Sequence, residues 1–136
     1  MSINRKYLLY YSICTASQLL IVILFYKWTQ FTALALTAYA ILTFGLFMAR
    51  TFYTTFEIIQ FIKLNQPKLF EKYSFRFFKY RLAYSWIMTD KQIRDTFNDQ
   101  ATGFYIEHRI AKKYFVITFF TFLLFAIIVI SSNPQP

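Results

Sequence analysis

Three stretches of the chain carry no charged side chain: residues 7–26, 31–49 and 114–131, the last reading YFVITFFTFLLFAIIVIS. Crossing the hydrocarbon layer takes about 20 predominantly apolar residues in helical form, within a range of about 17–25, so each stretch is long enough. None alternates strictly between apolar and polar positions as a barrel strand would. Lipid admits only helices or closed barrels, because backbone polar groups find no water there. The pattern predicts three transmembrane helices and hence an all-α integral membrane protein. The first stretch follows Arg5 and Lys6 as a signal peptide would, but it exceeds an h-region of about 7–15 residues and no small-x-small cleavage site follows it. Lys27-Trp28-Thr29-Gln30 instead makes a short turn into the second stretch. Residues 1–49 are therefore expected to form an uncleaved transmembrane hairpin.

Between the second and third spans, residues 50–113 are expected to be a helical segment. Phe52, Phe56, Ile59 and Ile62, with Phe61 beside them, recur at helical spacing and prolong the second span. Asn65-Gln66-Pro67 closes that helix, since the residue before a proline avoids helical geometry, and Pro67 suits the first turn of the next helix. The next helix, over residues 67–88, divides into three faces at about 100° per residue. Phe70, Tyr73, Phe77, Tyr80 and Tyr84 form an aromatic stripe, a candidate helix–helix or partner contact. Lys68, Lys72, Arg76 and Lys79 form a basic stripe, the candidate contact with anionic lipid at the membrane surface. The competing reading is a helix packed on its own neighbours with the basic side solvated. Thr89 as N-cap, with Gln92 three residues on, marks a further helix start. That helix is expected to carry Asp95 and Asp99 on one face, to be interrupted at Gly103, and to resume from Glu107 into the third span.

Charge decides the orientation. Residues 50–113 hold all of the 15 Lys and Arg except Arg5, Lys6 and Lys27. Arg5 and Lys6 fall on the same side as that segment once two crossings are counted. By the positive-inside rule, the N-terminus and residues 50–113 are cytoplasmic, in a multi-pass inner (plasma) membrane. Residues 114–136 supply the third span and a short tail, so the C-terminus ends outside. Composition agrees: 57% of residues are hydrophobic and 15% charged, against about 45–50% and about 25% in soluble domains. Tyr26, Trp28 and Tyr114 sit where headgroup-level aromatics are favoured. Gly45, with Ala38, Ala40 and Thr43, gives the second span a less bulky surface.

Few residues offer chemistry. Cys14 is the single cysteine; it excludes an intrachain disulfide and reads as a small packing residue. His108 is the single histidine and, between Glu107 and Arg109, reads as an interfacial surface residue. Zinc or haem would need further ligands that the sequence does not place near it. Asp95 and Asp99 read as solvated charge rather than an acid/base pair. There is no glycine-rich phosphate loop or nucleophile elbow, and no charge interrupts a span as an ion pathway requires. The chain is therefore not expected to be an enzyme, and no cofactor or metal is expected. Nucleic acid is not an expected partner either, since the membrane is the nearer polyanion.

Met48-Ala49-Arg50, a helical run of about sixteen residues, Pro67 followed by Leu69-Phe70-Glu71, and a basic cluster from Arg109 to Lys112-Lys113 ahead of Tyr114-Phe115 form a recognisable order. Over about residues 35–131 this layout resembles universal stress protein B, a family of small bacterial inner-membrane proteins. The first span is an addition to the family pattern. The resemblance implies a stress-associated membrane protein and carries over no catalytic residue. Uncharged spans, ring-rich faces and a structured basic loop point to helix–helix association, as a homo-oligomer or accessory subunit of a membrane complex in contact with membrane lipids. Phe119 and Phe122, with Phe120 and Phe125, are the candidate contacts on the third span. The alternative is a membrane-perturbing or pore-forming defence or toxin-like effector, which needs an oligomer because one chain has no polar lumen. An enzyme acting on lipid is a third reading.

Overall fold

The computed structural model of the chain describes residues 2–25, 27–73 and 91–131. Every regular element among the described residues is helical, and three helices are long and apolar enough to cross a membrane. Helix α1 is Ile3–Phe25. After a turn in which the Trp28 N–H donates to the Phe25 carbonyl at 2.8 Å, α2 (Thr29–Tyr39) passes through a π-helical segment, Ala40–Gly45, into α3 (Leu46–Asn65). These merge into one apolar helix, Gln30–Asn65. Then come α4 (Pro67–Tyr73), α5 (Lys91–Arg94) and α6 (Asp99–Ser131).

At about 1.5 Å per residue, α1 covers roughly 35 Å, the composite second helix about 54 Å and α6 about 50 Å, against a hydrocarbon layer of about 30 Å. The uncharged stretches thus understate the second and third helices. Absence of charge marks the part of a helix that lipid accepts, whereas the backbone ladder continues until something stops it. At the end of α3 the stop is the expected one: the Gln66 N–H closes on the Ile62 carbonyl at 2.8 Å, and the Gln66 carbonyl accepts the Phe70 N–H at 3.0 Å to start α4 behind Pro67.

The start of α6 differs from expectation. Helix α5 ends after one turn at Arg94, with the Thr96 hydroxyl donating to the Ile93 carbonyl. Asn98 then caps a new helix: its side-chain oxygen accepts the Ala101 N–H at 2.8 Å and its carbonyl accepts the Thr102 N–H at 2.9 Å. Asp99 in the first turn complements the positive end of the helix dipole. Asp95 lies outside any helix, so it does not share a helix face with Asp99. Nor is there an interruption at Gly103; the helix runs straight through it. Thr89, expected as an N-cap, lies outside the described residues.

The chain divides into two compact units, Met1–Arg50 with Ile110–Pro136, and Thr51–Arg109. In the first, Val22, Leu36, Tyr39, Phe125 and Val129 are buried together, with Cys14, Phe122 and Ala126 against them. Elsewhere in the same unit Phe47, fully buried, collects Tyr7, Tyr10 and Tyr114 at ring-centroid distances of 5.4, 6.1 and 5.5 Å. In the second unit Ile58, Ile62 and Ile93 form the core, flanked by Phe61, Phe70, Phe97, Phe104 and Tyr105. The buried stripe of α3 is therefore Thr54, Ile58 and Ile62, with Ile59 beside it, whereas Phe52 and Phe56 of the same helically spaced run are 63% and 53% exposed. Helical phase decides this: positions four apart in that order face one way, and the two rings fall on another side.

Gln18 lies on the buried face of α1 between Cys14 and Val22, and its amide nitrogen has no hydrogen-bond partner among the described residues. A buried donor left unpaired costs about 1–3 kcal/mol. Gln18→Leu, of similar volume, is expected to raise the thermal unfolding midpoint of the detergent-solubilised protein, and Gln18→Ala to lower it; scanning fluorimetry on the tryptophans checks both.

Candidate functional site

Inside the first unit, polar side chains of the long helices are bonded to one another. Threonines within helices return their proton to the preceding turn: Thr43 to the Tyr39 carbonyl at 2.6 Å, Thr32 to Trp28 at 3.2 Å, and Thr121 to Ile117 at 2.9 Å. That leaves the Thr121 oxygen as an acceptor, and the Tyr11 hydroxyl meets it at 2.9 Å. Tyr39 and Thr15 pair at 3.2 Å. The Tyr10 hydroxyl donates to the Leu42 carbonyl at 2.7 Å, within the π-helical segment. Such bonds fasten apolar helices at about 0.6–2 kcal/mol each. Their chemistry is adhesive.

The aromatic cluster around Phe47 brings together the N-terminal turns of α1, the first turn of α3 and the middle of α6. The Arg50 Nε donates to the Tyr7 hydroxyl at 3.3 Å, the Tyr114 hydroxyl donates to Asn4 Oδ1 at 3.4 Å, and the Lys113 ammonium lies 5.9 Å from the Tyr114 ring. Arg5 and Lys6, near the start of α1, and Lys112 and Lys113, beside Tyr114 within α6, are all exposed.

In the second unit His108 corrects the sequence reading. It is 3% exposed, not a surface residue. Its Nδ1 lies 3.3 Å from the Thr54 hydroxyl and 3.5 Å from that of Thr55. Both hydroxyls donate to the Thr51 carbonyl, at 3.2 and 2.7 Å. With both hydroxyls donating there, each offers the ring its lone pairs, the arrangement that suits a proton on Nδ1. Histidine so held is a tie between two helices. Nearby, the Tyr105 ring lies between guanidinium groups, Arg94 at 5.7 Å and Arg109 at 6.0 Å, and Arg94 also donates to its hydroxyl at 3.3 Å.

A groove of about 480 Å³ in this unit is walled by Phe56, Phe61 and Phe104, with Glu57, Gln60 and Gln100 on its lining. Among the described residues Glu57 is the one carboxylate on its lining. Among the described residues no group of three or more His, Cys, Asp or Glu is placed to hold a metal ion.

Of the candidate contact residues, Lys68 is exposed on α4, and Phe70 on the same helix turns into the Ile58–Ile62–Ile93 core. Lys72 and Tyr73 belong to α4 as well. Arg76, Phe77, Lys79, Tyr80 and Tyr84 lie outside the described residues. On α6, Phe119 is exposed and meets the rings of Phe44 and Phe120 at 6.0 and 5.9 Å, whereas Phe122 and Phe125 pack inward against Val22 and Leu36. Sequence reasoning passed over Thr54 and Asn98. Thr54 is spaced by four from Ile58, and Asn98 directly precedes an acidic first turn, so both signals were present.

Thr54→Val removes an acceptor from a buried ring while keeping the side-chain shape. It is expected to destabilise the protein by about 1–3 kcal/mol, and Thr55→Val, at the longer contact, by less; thermal melts in one detergent compare the two.

Comparison of the chain with known protein families, with curated proteins and with solved structures finds no match in any of the three.

Proposed function

We propose that this is a non-enzymatic protein of the bacterial inner membrane that acts by helix–helix association, as a homo-oligomer or an accessory subunit of a larger membrane complex. Its three long helices span the bilayer, with the N-terminus and residues 50–113 in the cytoplasm and the C-terminus outside. A stress association, implied by the likeness to universal stress protein B, belongs to the same reading.

The observation that carries the proposal is the ring patch on the outer surface of the first unit. Phe44 stacks on Phe115 at 4.5 Å and 29°, Phe119 follows at 6.0 Å from Phe44, and Phe120 stands against Phe119 with 60% of its surface exposed. Hydrocarbon tails are as apolar as leucine, so an apolar surface alone gains nothing by leaving lipid for another helix. Rings are different, because offset and edge-on contacts add about 0.5–1.5 kcal/mol beyond area. Tyr10, Tyr11, Thr15, Tyr39, Thr43 and Thr121 of the same unit form hydrogen bonds within it, whereas Phe119 and Phe120 face outward. Support for a non-enzymatic role comes from His108, whose Nδ1 is occupied by threonine hydroxyls.

Light scattering in several mild detergents is expected to give an oligomer or a complex with a co-purifying protein, and Phe119→Ala with Phe120→Ala to shift it towards monomer. A monomeric wild type in every detergent would overturn the proposal. Depolarisation of the membrane on expression would favour the pore-forming alternative. Orientation is checked in a Cys14→Ser background, where Asn65→Cys is expected to resist an impermeant maleimide in intact cells and Ser132→Cys to react.

A further inference from the structure

We propose that the groove on α1 formed by Arg5, Leu8, Leu9 and Ser12 binds one anionic phospholipid, with the phosphate on the Arg5 guanidinium and an acyl chain along Leu8 and Leu9. This rests on the reading that the chain sits in a membrane, and adds to it a site and a ligand class.

The groove is open along the helix surface and measures about 390 Å³. Its residues recur at i, i+3, i+4 and i+7, so they share one face of α1, and all four are exposed. Read from the N-terminal end, that face offers a cation, two leucines and a hydroxyl. A phospholipid laid along the helix places its charge at the Arg5 end and its chains along Leu8 and Leu9.

Electrostatics selects the headgroup. Residues 1–50 and 110–136 contain no aspartate or glutamate, so no carboxylate of this unit competes for the groove. Lys6 adjoins Arg5, and the Tyr114–Asn4 hydrogen bond brings the α6 segment bearing Lys112 and Lys113 to the start of α1. A guanidinium suits a phosphate because it can donate two parallel hydrogen bonds. The phosphate of a zwitterionic lipid is accompanied by an ammonium that these lysines repel. A headgroup with net negative charge meets no such opposition.

The full-length protein is inserted into nanodiscs of mixed phosphatidylglycerol and phosphatidylcholine, released into mild detergent, and the retained lipid is counted by native mass spectrometry. One phosphatidylglycerol is expected, preferred over phosphatidylcholine by about tenfold. Arg5→Gln with Lys6→Gln is expected to abolish the preference, and Leu9→Trp, which fills the groove without altering charge, to displace the lipid. Lys27→Gln, at the other end of α1, leaves both unchanged. Equal retention of the two lipids, a preference surviving the Arg5/Lys6 pair, or an equal loss in Lys27→Gln would overturn the site. Insertion without lipid preference removes this site alone, whereas failure to enter nanodiscs removes the membrane reading with it.

Discussion

A backbone or side-chain polar group without a partner costs several kcal/mol in an apolar medium, and the first unit is organised around that cost. On the membrane reading, its helices are continuous because a broken ladder inside lipid would leave amides and carbonyls bare. Where the ladder does depart from α-helical geometry, at Ala40–Gly45, the Leu42 carbonyl is engaged by the Tyr10 hydroxyl. Half-buried Thr121 satisfies its own donor within the helix and then serves as an acceptor for Tyr11. A threonine–tyrosine pair thus links helices without leaving a proton unplaced.

Charge is partitioned as sharply as polarity. All 6 acidic residues lie between Glu57 and Glu107, inside the second unit. There, opposite charges and ring–cation contacts are available, and Tyr105 between Arg94 and Arg109 is one result. The first unit has cations and rings but no acid, so its positive ends are oriented towards whatever anion the surroundings provide. On the membrane reading, the surroundings are a leaflet with negative surface potential. The same distribution that sets the orientation then also supplies the lipid contact.

How much of this was legible in the sequence depended on whether the signal was composition or phase. Long uncharged stretches made the helices easy to find, and Pro67 marked the end of α3 because its chemistry is local. The buried faces were harder. Phe52 and Phe56 attract notice as large rings, yet helix phase turns Thr54, Ile58 and Ile62 inward. His108 was misread from its charged neighbours, Glu107 and Arg109. The residues that matter stand a turn or two away: Ala101 and Ala111 lie seven before and three after it, and both are fully buried. That spacing continues through Tyr114, Thr118, Phe125 and Val129 along the whole of α6. The π-helical segment had no signature. From Thr32 to Ile62 the buried stripe of the composite helix makes about eight turns, for which a regular α-helix needs about 29 residues. The widened turn absorbs about one more residue. Only the coordinates reveal where the extra residue went.

Gly45 shows what kind of association the second helix favours. Small residues promote contact in membranes by letting backbones approach, as in small-xxx-small pairs. Here a side-chain carbon built on Gly45 meets nothing within 4 Å, so among the described residues no neighbour takes advantage of the space. The adjacent Phe44 instead reaches Phe115 face to face at 4.5 Å. At this position interhelical contact is therefore made by rings at side-chain distance rather than by backbones in close approach. Ring surfaces continue outward through Phe119 and Phe120, so a second copy or a partner helix docking there would extend a packing mode that the chain already uses internally.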